Sequence, residues 1–274
     1  MVRVGLAGLG FMGGTHAQCH AALPNAQLTA VCDPEEDRRE KFAEMYGAKP
    51  FATLEEMLSA DIDMVDICMP TYLHRQAVEA AAAAKKHILC EKPMAMTPGD
   101  CDAMIAAAKS AGVEFMVGHV IRFWPEYVVV KDLLDSGKLG KILWTSATRV
   151  SPPPTWSWQG WIFKPELSGG AVLDLHIHDL DFIAWILGKP TTVYANGVKT
   201  KTGALDSVFT TTSGYASGAV GFAEGCLDMA AEFPLAMGLK INLEGGSIEF
   251  STRHSPSVVV ATREGGVAHP DIPQ

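Results

Sequence analysis

The feature that most constrains this chain is a glycine turn set between an apolar strand and a helix. Gly8-Leu9-Gly10-Phe11-Met12-Gly13 directly follows an apolar run over residues 2–7 and opens a helical pattern that continues to about Ala22. A G-x-G-x-x-G pattern alone says little, because glycine is common here. Its setting says more: a strand before it, a helix after it, and Asp33 at the end of the next apolar run, 20 positions past Gly13. Gly8 allows the tight turn, Gly10 lets the main chain approach a pyrophosphate, and Gly13 lets helix and strand pack closely. The helix start then offers N–H groups and a favourable dipole to an anion. The expected ligand is a dinucleotide touching Gly8, Gly10, Phe11, Met12 and Gly13. Asp33 would accept the adenosine ribose hydroxyls and repel a 2′-phosphate, which favours NAD. Arg38 and Arg39, a helical turn later, could offset that repulsion and admit NADP. The bland alternative is the same turn in a doubly wound protein without a cofactor.

The first half alternates strands with helices. Apolar runs at 2–7, 27–32, 64–68, 88–90 and 114–117 are separated by helical patterns, among them 35–46, 75–85 and 100–111. Such alternation implies a parallel sheet covered on both faces, a Rossmann-type doubly wound α/β domain. Near residue 120 the pattern changes. After a helix at 126–135 come β-type runs at 142–150, 192–198, 208–215, 218–224, 239–243 and 258–262, with one helical stretch at 170–187. Strands that follow strands predict a C-terminal α+β domain with a large, mostly antiparallel open sheet. The expected domains are 1–120 and 121–274, with Pro152-Pro153-Pro154 and the tryptophans at 156, 158 and 161 in a packed loop between them.

Composition narrows the function classes. The chain has 274 residues, 48% hydrophobic and 19% charged, enough for a sizeable core. A net charge of -9 without a long basic run makes nucleic acid an unexpected partner. Six cysteines, none in a C-x-x-C pair, read as free thiols of a reducing compartment. The chain enters its first strand within two residues, and no apolar stretch reaches membrane-spanning length. A cytoplasmic protein with no membrane partner is expected.

Two segments carry catalytic residue types. Glu91-Lys92-Pro93 follows the run at 88–90, at the sheet edge where ligands bind. Pro93 biases Lys92 toward an extended main chain, and Lys92 could meet a substrate beside the cofactor or be a solvated surface lysine. The second segment runs from Gly169-Gly170 through Asp174, His176, His178 and Asp179. On a helix Asp174 and His178 are i and i+4 and share a face, while His176 points elsewhere. A carboxylate beside an imidazole suits proton transfer from an alcohol. Zinc held by His176, His178 and Asp174 is a weaker alternative, since His-x-His belongs more naturally on a strand, and no metal is expected. Satisfied core histidines are the other alternative.

Taken together, residues 8–13, Glu91-Lys92-Pro93 and the G-G-x-x-x-D-x-x-x-H segment at 169–178 resemble the glucose–fructose oxidoreductase / inositol dehydrogenase family, in order and separation. Thr15-His16 is similar to its helix start, and Pro70-Thr71 with His74 to its nicotinamide-side loop. The resemblance implies Lys92, Asp174 and His178 as the catalytic set, NAD or NADP as cofactor, and Pro70, Thr71, His74, Glu91 and Lys92 near the nicotinamide. It implies oxidation of a secondary alcohol on a sugar or inositol-like polyol. Candidate walls of the sugar site are His119, Arg122, Trp158 and Trp161, although tryptophans near prolines also pack for their own sake. Two further readings stay open: tightly bound NAD used for transient oxidation in glycoside cleavage or elimination, and a non-enzymatic NAD sensor. Family members often form dimers or tetramers through the flat face of the second sheet, so a homo-oligomer is expected. They also run longer; this chain stops in a stretch that reads like an interior loop, so a C-terminally shortened member is expected.

Overall fold

The computed structural model describes residues 1–200, 205–213 and 215–273. The chain divides into two compact units, Met1–Gly118 with Thr155–Ser168, and His119–Pro154 with Gly169–Gln274. The tryptophan segment expected between two domains therefore groups with the first unit.

In that unit β1 (Val2–Ala7) leads to α1 (Phe11–Ala22), followed by β2 (Ala26–Cys32), α2 (Glu36–Tyr46), β3 (Lys49–Phe51), α3 (Leu54–Leu58) and β4 (Met64–Ile67). Then come α4 (His74–Ala83), β5 (His87–Glu91), α5 (Pro98–Ala111) and β6 (Phe115–Gly118). The strand order is β3-β2-β1-β4-β5-β6, and every pairing is parallel. Successive side chains on a strand go to opposite faces, and here both faces are buried. Val4, Leu6 and Val31 pack in one cluster, and Ala7, Ala30 and Cys32 in another with Val65, Ile67 and Ile88. That double burial is why these strands read as unbroken apolar runs. Helix ends follow local chemistry: the Thr97 Oγ1 accepts the Asp100 N–H at 3.1 Å, Pro98 opens α5, and Gly112 closes it with φ 70°. β3 and α3 were not expected from sequence. A three-residue edge strand containing Pro50 and a five-residue helix are too short to show a period.

The remaining elements are α6 (Pro125–Asp135), β7 (Ile142–Val150), α7 (Pro165–Ser168, within the first unit), α8 (Gly170–Asp174), α9 (Ile177–Leu187) and seven strands. These are β8 (Thr192–Lys199), β9 (Leu205–Ser213), β10 (Val220–Cys226), β11 (Ala236–Leu243), β12 (Gly246–Ser251), β13 (Val258–Thr262) and β14 (Val267–Ala268). The sheet order is β14-β13-β12-β11-β7-β10-β9-β8, antiparallel except where β10 pairs with β7. One face carries the core. Tyr127 meets Phe182 and Phe250 edge-on at centroid distances of 4.9 and 5.2 Å, amid Leu239, Ile241 and Ile248. Such aromatic pairs contribute about 0.5–1.5 kcal/mol each beyond area burial. The opposite face is exposed and apolar. Trp144 pairs with Val220, Glu224 with Phe209, and Phe209 with Asn196, so alternation puts Trp144, Phe222, Phe209, Tyr194 and Val198 on one side. No described helix is long and apolar enough to cross a membrane.

Candidate active site

In the first unit α1 begins with Gly10 as its N-cap, with no side-chain capping bond and no acidic residue in its first turn. Its N-terminal N–H groups and positive dipole end are thus offered to an anion. Gly8 holds φ 88°, and a Cβ there would come within 2.8 Å of the Cys68 main chain. A Cβ on Gly13 would run into the Gly8 carbonyl oxygen. At Gly10 a Cβ would meet nothing within 4 Å, so the space above it is open. This cradle fits the pyrophosphate of NAD. Phe11 stands exposed and Met12 partly exposed beside it. Asp33, at the end of β2, accepts the Leu9 N–H and the Glu35 N–H, both at 2.9 Å, and Arg38 approaches both of its oxygens at 3.3–3.4 Å. The carboxylate that is expected to take the ribose hydroxyls therefore also fastens the glycine loop. Arg38 reaches it directly rather than standing apart.

The loop after β4 holds three of the expected site residues, Pro70, Thr71 and His74. Pro70 is partly exposed, but Thr71 and His74 are buried. His74 Nδ1 lies 2.9 Å from the Pro93 carbonyl oxygen and Nε2 2.8 Å from that of Met69. Burial pushes its pKa down, and its ring ties this loop to the one after β5. Glu91 likewise turns inward: its Oε2 accepts the Lys92 N–H at 3.0 Å. Lys92 follows β5 directly, and its peptide bond to Pro93 is cis.

An ion network that the sequence reading missed lies beneath these loops. His16 Nδ1 is 2.9 Å from Asp66 Oδ2, and His16 Nε2 is 3.0 Å from Glu91 Oε1. His20 Nε2 is 2.7 Å from the same Asp66 oxygen. Burial works against the His16 charge, but hydrogen bonding to Asp66, Cys68 and Glu91 outweighs it and holds its pKa well above the ordinary histidine range. Burial alone would raise the Asp66 pKa; His16 and His20 hold it below the usual carboxylate value. A signal was present in the sequence: Asp66 interrupts an otherwise apolar strand, and a buried carboxylate needs partners. Among the described residues, His16, Asp66 and Cys68 form the group whose donor atoms lie close enough to share a cation, within 4.8 Å. Both His16 ring nitrogens are already engaged by carboxylates, so the cluster is satisfied as an ion network.

The tryptophan segment belongs to the cofactor unit. The Trp156 ring lies 4.6 Å from that of Phe11, and the Trp158 indole N–H donates to Glu35 at 3.2 Å. Trp158, expected as a sugar wall, neighbours the loop that follows Asp33. Trp161 is partly buried in the short 3-10 turn Trp158–Phe163.

In the second unit the expected continuous helix over 170–187 is two helices. The main chain turns at Leu175 and His176, where the His176 N–H reaches back to Ala171 at 2.8 Å, five residues away. His176 is drawn fully inside, its Nε2 2.8 Å from Thr210 Oγ1 and its ring against Gly225. Burial lowers its pKa to about 4. Asp174 and His178 are thus not an i, i+4 pair on one helix, but both remain partly exposed while His176 and Asp179 are buried. Asp179 pairs with Arg149, Oδ2 to Nε at 2.9 Å, inside the aromatic core. Arg122, expected at the substrate, makes a two-pronged pair with Asp181 at 2.7 and 2.6 Å and lies over the Trp185 ring. His119 Nδ1 is 3.6 Å from the same carboxylate.

Comparison with known proteins agrees with this architecture. Residues 2–119 match the family model described as "Oxidoreductase family, NAD-binding Rossmann fold", and residues 127–249 match the GFO/IDH/MocA C-terminal domain. The chain is 33% identical over 201 residues to a myo-inositol 2-dehydrogenase of Thermotoga maritima, covering 72% of this chain and 58% of that protein. It is 35% identical over 195 residues to a 2,7-anhydro-N-acetylneuraminate hydratase of Escherichia coli, covering 70% of this chain and 52% of that protein. The chain thus spans little more than half the length of these curated relatives. A levoglucosan dehydrogenase solved with NADH and L-sorbose superposes with a TM-score of 0.89 at 26% identity, over 98% of this chain and 79% of that one. With its glycine loop, its Glu-Lys-Pro loop and both of its units matched, the chain belongs to the glucose–fructose oxidoreductase / inositol dehydrogenase (Gfo/Idh/MocA) family and carries that family's NAD-binding Rossmann fold.

Proposed function

We propose that the protein is an NAD-dependent dehydrogenase that oxidises a secondary alcohol of a sugar or inositol-like polyol. The observation that carries this reading lies in the first unit. The glycine loop at the end of β1 and Lys92 directly after β5 stand at the same carboxyl edge of one parallel sheet, where such sheets bind ligands. The names of the relatives, a myo-inositol dehydrogenase and a levoglucosan dehydrogenase with NADH, support the substrate class. Bound NAD supplies the hydride acceptor at its nicotinamide ring. Lys92, a cation, donates a hydrogen bond to the reacting oxygen and favours the developing alkoxide. His178 takes the hydroxyl proton as general base, and Asp174 orients the imidazole and offsets its positive charge. Asp33 receives the ribose hydroxyls and disfavours NADP.

A homo-oligomer belongs to the same reading, since the exposed apolar face of β7–β10 is of the kind that a second copy covers. A cytoplasmic setting is supported by six cysteines that are all unpaired.

The test is absorbance of reduced nicotinamide after mixing the protein and NAD with inositols, aldoses and their acidic derivatives. One substrate class should give signal. Lys92→Ala should lower its turnover by about 10²–10³-fold, the scale of losing one oxyanion donor, with NAD binding retained. An equal rate in Lys92→Ala, or no reduction by protein that binds NAD, would overturn the proposal.

A further inference from the structure

His16 lies on α1, just past the glycine loop, and both of its ring nitrogens face carboxylates from neighbouring strands. Asp66 comes from the middle of β4, fully buried between Val65 and Ile67. Glu91 comes from the last position of β5 and sits opposite Gly118 of β6, where a Cβ would approach Glu91 Oε1 to 3.2 Å. Deprotonated carboxylates only accept, so an imidazole at 2.9 Å from one and 3.0 Å from the other must donate from both nitrogens, which makes it an imidazolium. The elevated pKa of His16 agrees with that geometry.

The second oxygen of Glu91 accepts the Lys92 N–H. A continuous chain of hydrogen bonds therefore runs from His20 through Asp66, His16 and Glu91 to the Lys92 main chain. A flat imidazolium has its two N–H directions fixed by the ring. Held by Asp66 on one side, it leaves Glu91 one favourable orientation, and Glu91 in turn fixes the Lys92 amide. Removing His16 would leave Glu91 buried without its cation and free to reorient or take up a proton. Either change loosens the residue that carries the reactive amine. His16 belongs to the helix whose N-terminus forms the pyrophosphate cradle, so the same link ties the cofactor loop to the catalytic loop.

We propose that His16 is a positioning residue, an imidazolium clamped between Asp66 and Glu91 that fixes Lys92 relative to the glycine loop. The proposal rests on the reading of Lys92 given above, but its test does not need the substrate. Wild type, His16→Gln, His16→Leu, Glu91→Gln and His20→Gln are compared by competitive acetylation of Lys92 against pH, read by mass spectrometry, and by NAD titration. Loosening of Lys92 should shift its labelling midpoint by at least about half a pH unit in His16→Leu and Glu91→Gln. NAD affinity should change less than about threefold, because the cradle is made by main-chain N–H groups. The double variant His16→Leu with Glu91→Gln should shift the midpoint no further than the larger single change, as expected of two links in one chain. His20→Gln, which touches Asp66 but not Glu91, should shift it less.

Once a substrate is in hand, His16→Leu should lower kcat about tenfold to a hundredfold with KM little changed, the scale of a small misplacement of a reacting group. His16→Gln, able to donate to one carboxylate at a time, should fall between wild type and His16→Leu. An unchanged Lys92 profile in both His16→Leu and Glu91→Gln would overturn the proposal, as would an equal shift in His20→Gln. A shifted profile in a protein that reduces no NAD with any polyol would leave the positioning role standing and overturn the dehydrogenase reading instead.

Discussion

Both units of the molecule bury ionisable side chains, and they satisfy them in different ways. In the first, Asp66 lies between two histidines and His16 between two carboxylates, so each charge has more than one partner. In the second, Arg149 and Asp179 depend on each other, with the Tyr127 hydroxyl 3.5 Å from Arg149 Nη2, and His176 has the Thr210 hydroxyl. The same residue type consequently takes opposite charge states. His16 is held charged by its carboxylates, while burial among uncharged neighbours keeps His176 neutral, with a pKa near 4. Burial favours the neutral form of both histidines, and only where carboxylates answer it, as at His16, does the charge persist. A networked ion can lose one partner and keep its charge compensated, whereas an isolated pair that loses one member leaves the other uncompensated.

The sharpest way to break that contrast is Arg149→Leu. It should lower stability in urea unfolding by about 3–5 kcal/mol, the cost of leaving one member of a buried pair bare. The double replacement with Asp179→Leu should cost less than the single one, since it removes the stranded charge. His20→Leu in the first unit should cost about 1–3 kcal/mol, because Asp66 keeps His16. Equal losses for Arg149→Leu and His20→Leu would erase the distinction.

The two histidines should also give the pH profile of stability opposite slopes. His176 has a folded pKa of about 4, below its ordinary value of 6.5. Its contribution is present above pH 6.5 and is lost as pH falls toward 4. His16 has a raised folded pKa, so its contribution is full below the ordinary value of 6.5 and is lost as pH rises from there toward the folded value. Thermal midpoints from mildly acidic to alkaline pH should therefore become flatter on the acid side in His176→Asn and on the alkaline side in His16→Gln. Matching profiles for the two variants would contradict the assigned charge states. The smallest effect sets a scale for an exposed hydrogen bond: Thr97→Ala, which removes the cap of α5, should cost about 1 kcal/mol by the same unfolding measurement.

Much of the first unit was legible because its signals are local. The glycine turn, the strand before it, the helix after it and Asp33 lie within a few tens of residues, and the parallel character of the sheet follows from strand–helix alternation. Lys92 was placed at the sheet edge by its position after an apolar run. The helical character of the 170–187 segment was legible, its local geometry was not. An unbroken helical period across 170–187 gave no warning that His176 would be pulled inside and turn the main chain. His74 and Glu91 were recognised as members of their loops, yet both side chains face inward to hydrogen bonds that no local pattern records.

By itself, then, the sequence determined most of the longer elements, the parallel and mostly antiparallel character of the two sheets, and the dinucleotide cradle. These depend on periodicity and on glycine at particular turns, which are properties of neighbouring residues. The tertiary structure decided which charges meet. His16 is 50 positions from Asp66 and 75 from Glu91, and only the parallel pairing of β1, β4 and β5 brings them within 3 Å. It decided as well that β10 runs parallel to β7, that Trp158 reaches Glu35 across 123 positions, and that one buried histidine is charged while another is neutral. The reason is physical: electrostatic and hydrogen-bond energies depend on separation in space and on exclusion of water, and neither is written in spacing along the chain.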